Sequence, residues 1–290
     1  MVLHYILTII SAIALFISFK GHAYAWITFI ALIPFLHTLN NIQNLSSAKK
    51  TLHCYAQQGL IFGLCYMGLT NLWVFQLIEF STPLQITILF IVYTSLEALY
   101  FGLISSLFSI YNKKLWLLPF IWILLEYIRS SGEFGSANGL IGYSQATNTQ
   151  VNHLAQLGGI HFLSFICISI NILIYQTLKA LKNKKYQLSI IFISILIIIS
   201  SSHLFYSLPQ STKKELPLSI IQVNHPITYK LNRKNRKQVR TDYIQLTKKA
   251  LKEFPAQLVI WPETISASQN LYFKNFMSNL TDLTNQYNTS

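Results

Sequence analysis

Charge is scarce in this sequence. Asp, Glu, Lys and Arg make up 11% of its 290 residues, against about 25% in soluble domains. That excludes a water-facing surface over the whole chain, because too few charged side chains exist to cover it. Acids are rarest, nine against 22 Lys and Arg. The net charge of +13 would suit a polyanion. No nucleic-acid motif accompanies it, however, and much of the charge lies between apolar runs, so nucleic acid is not an expected partner. Cysteine is sparse too. Cys54, Cys65 and Cys167 all lie in apolar runs, which argues against a disulfide framework. They lack the paired Cys/His spacing of a zinc site. The chain shows no internal repeat and no low-complexity linker. Its first apolar run has no basic leader and is soon followed by another, which predicts a retained span rather than a cleaved signal peptide.

What the sequence has in abundance is long apolar runs, near 2–19, 24–40, 54–79, 84–111, 115–129, 153–178 and 187–207. A bilayer core of about 30 Å needs about 20 apolar helical residues. Helices are expected because lipid offers no partner to an unpaired backbone group. Residues 1–207 carry ten bases and four acids, and residues 208–290 carry twelve and five. The expected organisation is therefore a membrane domain of about seven spans over 1–207, followed by a polar region over 208–290. The second, fourth and sixth connections hold eight bases: Lys49, Lys50, Lys113, Lys114, Lys179, Lys182, Lys184 and Lys185. The odd connections hold only Lys20 and Arg129. The positive-inside rule places the even connections and the amino terminus in the cytoplasm. With seven crossings, the carboxyl-terminal region lies outside, which is the periplasm of a Gram-negative cell.

That region reads as strand, helix, strand. Residues 217–223 are short and β-branched. Residues 235–254 place Val239, Tyr243, Leu246, Ala250 and Phe254 on one face. Residues 257–261 form a second strand, stopped by Pro262. This order predicts a right-handed crossover with parallel strands. Glu263 follows directly, beyond the carboxyl end of a strand, where parallel sheets place their chemistry. It could serve as a general base, or as an acid that stabilises the start of a helix. Glu97 and Glu126 lie inside apolar runs. Arg129 stands three residues after Glu126, the spacing of a helical ion pair, whereas Glu97 is either protonated or paired across helices. The connection 130–150 carries Gly132, Gly135, Gly139 and Gly142 and is long for its kind. It reads as a substrate-contacting loop or as a flexible surface turn. The basic run from Lys230 to Arg240 reads as a solvated helix start or as a contact for anionic headgroups.

Several of these features resemble the apolipoprotein N-acyltransferases, membrane-bound members of the carbon–nitrogen hydrolase (nitrilase) superfamily. The residues that carry the resemblance are Leu125-Glu126-Tyr127-Ile128-Arg129, Gly142-Tyr143-Ser144-Gln145, the run Ser219-Ile220-Ile221-Gln222-Val223-Asn224, and Leu258 to Thr264 with its Trp-Pro-Glu-Thr. The resemblance implies a multi-span α-helical membrane domain followed by an incomplete α/β domain, nitrilase-like αββα, outside the cytoplasm. It implies location in the bacterial inner membrane, a phospholipid as acyl donor and an apolipoprotein as acceptor. No cofactor is implied. The family uses a cysteine nucleophile, a lysine that stabilises the oxyanion, and a glutamate base, and Glu263 matches that base. Departures accompany the match. No cysteine follows Cys167, Lys274 stands too near Glu263 to be the family's lysine, and the family's last membrane helix is missing. The loop motif Gly-Phe-Pro-Trp reads Gly135-Ser136-Ala137-Asn138, and Leu231 replaces an aromatic after Lys230. The sequence is thus expected to be carboxyl-terminally truncated. It would be active only if a second chain supplied the rest of the catalytic domain. Otherwise it would be an inactive product or a non-catalytic membrane protein that binds lipid or lipoprotein.

Overall fold

The chain is described by a computed structural model covering residues 2–42, 47–133, 135–182, 216–262, 274–287 and 289. It divides into two units, Met1–Ser207 and Leu208–Ser290. The apolar run expected to form a helix at 187–207 lies outside the described residues, as does Glu263.

Apolar patterning becomes helix throughout the described part of the first unit. Its helices are α1 (Val2–Ile17), α2 (His22–Ala25), α3 (Thr28–Ala31), α4 (Ile33–Asn41), α5 (Ala48–Thr70), α6 (Pro83–Ile110), α7 (Leu118–Ser130) and α8 (Ala155–Lys182). Four stretches are long and apolar enough to cross a membrane: His22–Asn41, Ala48–Glu79, Pro83–Ile110 and Asn152–Lys182. Two expected spans come out shorter, α1 with 16 residues and α7 with 13. At 1.5 Å per residue both fall below the ~30 Å hydrocarbon thickness.

The outer face of this unit is apolar, unlike that of a water-soluble bundle. Apolar side chains face outward along α6, among them Ile88, Ile91, Leu96, Leu99 and Leu103. Polar groups are buried and bonded to one another or to backbone. Thr8 donates to Gln58 at 2.7 Å, and Ser11 donates to the Ala31 carbonyl. Asn171 of α8 repairs the interrupted span α2–α4. It accepts from the Leu32 amide at 2.9 Å and donates to the Thr28 carbonyl at 2.7 Å. Lipid would leave those backbone groups unpaired, so a break in a span needs such a partner. The centre is aromatic: Phe62, Phe101 and Trp122 meet with ring centroids 5.4 to 6.1 Å apart.

Helices α5 and α6 form the closest pair, and glycine makes it possible. Gly59 and Gly63 lie one turn apart on α5, in the small-residue spacing that lets membrane helices approach. A Cβ on Gly63 would stand 2.8 Å from the Ala98 Cα and 2.9 Å from its carbonyl oxygen. Those are backbone atoms and cannot rotate away. Gly63→Leu should therefore separate the helices, with an overpacking cost at or above the usual range of about 1–3 kcal/mol. Gly68→Ala is the control, since the nearest atom to its new Cβ is 3.9 Å away. Thermal unfolding in detergent should show a large drop for the first variant and almost none for the second. Equal midpoints would mean that α5 and α6 do not pack in this way.

Connections gather at two ends of the unit. Lys113 donates to the Ile42 carbonyl at 2.7 Å, joining the fourth connection to the second. Thr38 donates to the His4 carbonyl at 3.4 Å, and the His37 ring meets the edge of Tyr175. These contacts bring the start of α1 and the end of α8 to the same end. At the opposite end, His22 Nδ1 lies 2.8 Å from the Thr147 carbonyl, and Tyr66 donates to the Gly139 carbonyl at 2.9 Å. Lys113, Lys179 and Lys182 thus mark one end. The other end holds Lys20 and the buried Arg129.

In the second unit, β1 (Leu218–Ile220) pairs in parallel with β2 (Leu258–Ile260), with Leu218 opposite Leu258 and Ile220 opposite Ile260. Between them run α9 (Ile227–Leu231) and α10 (Arg236–Glu253), and α11 (Lys274–Tyr287) lies beyond β2. The expected parallel crossover is present. Its helical stripe is shifted, however. Val239, Tyr243, Thr247 and Leu251 are buried, whereas Phe254 is 73% exposed. The helix ends at Glu253, and Phe254 takes extended backbone angles (φ −137°, ψ 94°), which turns it off the stripe.

Candidate functional site

The polar residues of the first unit converge at the end opposite the basic one. Glu97 comes from the middle of α6 and Arg129 from the last turn of α7. Arg129 Nη1 lies 2.8 Å from Glu97 Oε1, and both side chains are about 95% buried (3% and 5% exposed). The same nitrogen donates to the Asn138 carbonyl at 2.7 Å. Asn71, at the end of α5, donates to Glu97 Oε2 at 2.7 Å and accepts from Asn138 Nδ2 at 2.8 Å. Two helix ends, one helix middle and one loop are thereby bound into a single network. Arg129 Nη2 is buried within it and has no hydrogen-bond partner among the described residues.

The ion pair corrects the expectation that Glu126 is Arg129's partner. Glu126 Oε1 instead accepts from Trp122 Nε1 at 3.2 Å and from the Ile141 amide at 3.0 Å. One turn of helix allows the local pair, but two neutral donors already occupy Glu126. Arg129 reaches across to α6, where Glu97 would otherwise be buried without a cation. The glycine-rich connection is divided: residues 131–133, 135 and 137 are exposed, whereas its second half packs inward. Leu140, Ile141, Ser144, Gln145, Asn148 and Val151 are all at most 3% exposed. The Gly142 amide donates to Ser164 at 2.9 Å, and Gln145 Nε2 donates to the Ala25 carbonyl at 2.9 Å. That second half ties α7, α8 and α2 together.

A groove of about 530 Å³ opens beside this network, bounded by Tyr93, Leu96, Leu99, Leu103, Arg129 and Ser136. Tyr93 donates to Ser136 at 2.7 Å across its edge. Its leucines belong to the outward apolar face of α6. The groove is therefore lined by apolar side chains together with the Glu97–Arg129 pair. Asn71 and Asn138 escaped the sequence reading. Their signal was a polar amide at the margin of an apolar run, which becomes meaningful only once its partners are known.

In the second unit, Trp261 is anchored just before Glu263. Its Nε1 donates to Thr247 at 2.9 Å, and its ring packs on Tyr243 with centroids 5.6 Å apart. The chain leaving β2 is thus held against α10. Glu263 itself lies outside the described residues. Lys274 begins α11. The three cysteines stay within the helices of the first unit, Cys167 fully buried and Cys54 and Cys65 half-buried.

A bundle with apolar outer faces, a repaired helix break and mutually bonded buried polar groups is a multi-span membrane protein. Its family follows from comparison with known proteins. Residues 11–173 match the apolipoprotein N-acyltransferase N-terminal domain. The chain is 23% identical over 280 residues to apolipoprotein N-acyltransferase 1 of Treponema denticola, covering 90% of this chain and 48% of that protein. It is 29% identical over 268 residues to the apolipoprotein N-acyltransferase of Borreliella burgdorferi, covering 89% of this chain and 48% of that protein. With the Thermotoga maritima enzyme of the same name the match is 26% over 155 residues, 53% of this chain and 29% of that protein. The chain belongs to the apolipoprotein N-acyltransferase family. It spans about half the length, or less, of these curated relatives.

Proposed function

We propose that this chain forms the membrane part and the start of the catalytic domain of a lipoprotein N-acyltransferase. The observation that carries this reading is the match along 90% of the chain to a protein of that name. The reaction is acyl transfer in two steps. A cysteine thiolate attacks a phospholipid ester carbonyl, forming a thioester and releasing a lysophospholipid. The α-amine of a lipoprotein's diacylglyceryl-cysteine then attacks the thioester, giving an amide and freeing the thiol. Glu263 takes the thiol's proton to form that thiolate and passes it to the leaving lysophospholipid oxygen, then takes the amine's proton and passes it to the departing thiolate. The leucine-lined groove along α6 suits an acyl chain.

The second unit is read as the opening of a nitrilase-like sandwich. Its β-strands support this, since Leu218, Ile220 and Ile260 expose one apolar face that further layers would cover. Cys54, Cys65 and Cys167 do not suit the nucleophile: Cys167 is fully buried, all three lie inside membrane helices of the first unit, and none is on the unit that carries Glu263. The nucleophile and the oxyanion lysine would come from polypeptide other than these 290 residues. A second reading, a non-catalytic protein that binds lipid or lipoprotein, draws on the same three cysteines, all within membrane helices.

The decisive experiment is deletion of these residues at their native locus, followed by mass spectrometry of mature lipoproteins. The amino-terminal cysteines should lose their amide-linked acyl chain. Unchanged N-acylation would remove the enzymatic reading and leave the binding one. Membrane orientation is part of the proposal: inner membrane, seven crossings, basic end in the cytoplasm. A reporter active only outside the cytoplasm should be active when fused after Ser290 and silent when fused after Lys50. The reverse pattern would invert the topology.

A further inference from the structure

At the basic end of the first unit a second groove, of about 670 Å³, lies between α1, α4 and α8. Leu3, Leu7 and Leu178 line its apolar part, and His37, Lys179 and Lys182 line its polar part. The two lysines stand three residues apart, on one face of the last turn of α8. The carbonyls that end a helix favour lysines there. That preference accounts for the charges but not for the walled apolar cleft beside them. Among the described residues no acid lines the groove, and the ion pairs are Arg129–Glu97 and His225–Asp242. The charge of Lys179 and Lys182 therefore has no acidic partner among the described residues. The wall behind them is built rather than accidental. His37 meets the edge of Tyr175 with ring centroids 6.4 Å apart, and Asn41 Nδ2 donates to the His37 carbonyl at 2.8 Å.

We propose that this groove holds one phospholipid with an anionic headgroup, its phosphate at Lys179 and Lys182 and its acyl chains against Leu3, Leu7 and Leu178. Two cations without an acidic partner among the described residues, and an apolar cleft beside them, complement such a lipid in both charge and polarity. Basic pockets between membrane helices on the cytoplasmic side bind anionic headgroups in this way. The site is distinct from the groove beside Arg129, which lies at the opposite end of the unit, and it does not depend on the acyltransferase reading.

The test uses the full chain in mild detergent, with bound lipids counted by native mass spectrometry. The probes are phosphatidylglycerol and phosphatidylcholine with identical acyl chains. The chain should retain one phosphatidylglycerol with a preference of about thirtyfold, from two lysines near a phosphate. Lys179→Gln combined with Lys182→Gln should bring that preference below about threefold, with helical content unchanged. Leu7→Trp should narrow the cleft and lower retention of both lipids. Equal retention of the two lipids by the native chain overturns the proposal, as does an undiminished preference in the double variant. Displacement by millimolar inorganic phosphate as effective as that by phosphatidylglycerol would also overturn it, because the site would then recognise a soluble anion.

Discussion

Arg129→Met should destabilise the membrane unit by about 3–5 kcal/mol, the usual cost of removing one partner of a buried ion pair. Glu97 and Arg129 are both about 95% buried, and the guanidinium also holds the Asn138 carbonyl. Removing it leaves the Glu97 carboxylate with only the Asn71 amide and frees the connection that closes the end of the bundle. The pair itself is a different matter from either half of it. A buried pair gains Coulomb energy but loses the hydration of two ions, so replacing both by apolar groups is often neutral. Glu97→Leu combined with Arg129→Met should therefore be less destabilising than Arg129→Met alone. Equilibrium unfolding in mixed micelles, arranged as a double-mutant cycle, measures the coupling. A single-variant loss below about 1 kcal/mol, or losses that simply add, would show that the pair is not what holds α6 to α7.

Glu263→Gln should lower lipoprotein N-acylation by about 10²–10⁴-fold, the range that a positioned general base contributes. The amide keeps the size of the carboxylate and its capacity to accept a hydrogen bond. It cannot take the proton of the attacking thiol or amine. The variant belongs at the native locus, so that every other catalytic group is present. Membrane insertion should be unchanged, because Glu263 lies outside every apolar run. A loss below about fivefold would instead match an acid that stabilises the start of a helix through its dipole, worth about 0.3–1 kcal/mol. Trp261 bears on this outcome. Its bond to Thr247 and its packing on Tyr243 hold the strand end two residues before Glu263. Thr247→Val should accordingly reduce acylation by far less than Glu263→Gln, since it loosens the base's approach without removing the proton acceptor. A Thr247→Val loss equal to that of Glu263→Gln would point to a structural role for the whole segment.

The apolar runs, their boundaries and the unequal charge of the connections were legible in the sequence. Insertion into lipid depends on the summed transfer energies of neighbouring residues, and that sum is local. The parallel crossover was legible for a similar reason, since two short β-branched runs flanking an amphipathic helix leave few topologies open. Length along the membrane normal was less legible. α1 ends at Ile17, before its apolar run does, and α7 begins at Leu118, after its run has started, because helix ends follow hydrogen bonding and capping rather than hydropathy alone.

Tertiary structure alone decided which polar groups meet. Sequence spacing assigned Arg129 to Glu126, yet α6 brings Glu97 to it and leaves Glu126 to Trp122 and the Ile141 amide. The approach of α5 to α6 through Gly59 and Gly63, the repair of a broken span by Asn171 and the burial of the second half of the glycine-rich connection are of the same kind. Each depends on two segments far apart in the chain arriving at one place. Hydropathy is additive along the chain and can be read from it, whereas a buried ion pair is a contact between helices and exists only once they have packed.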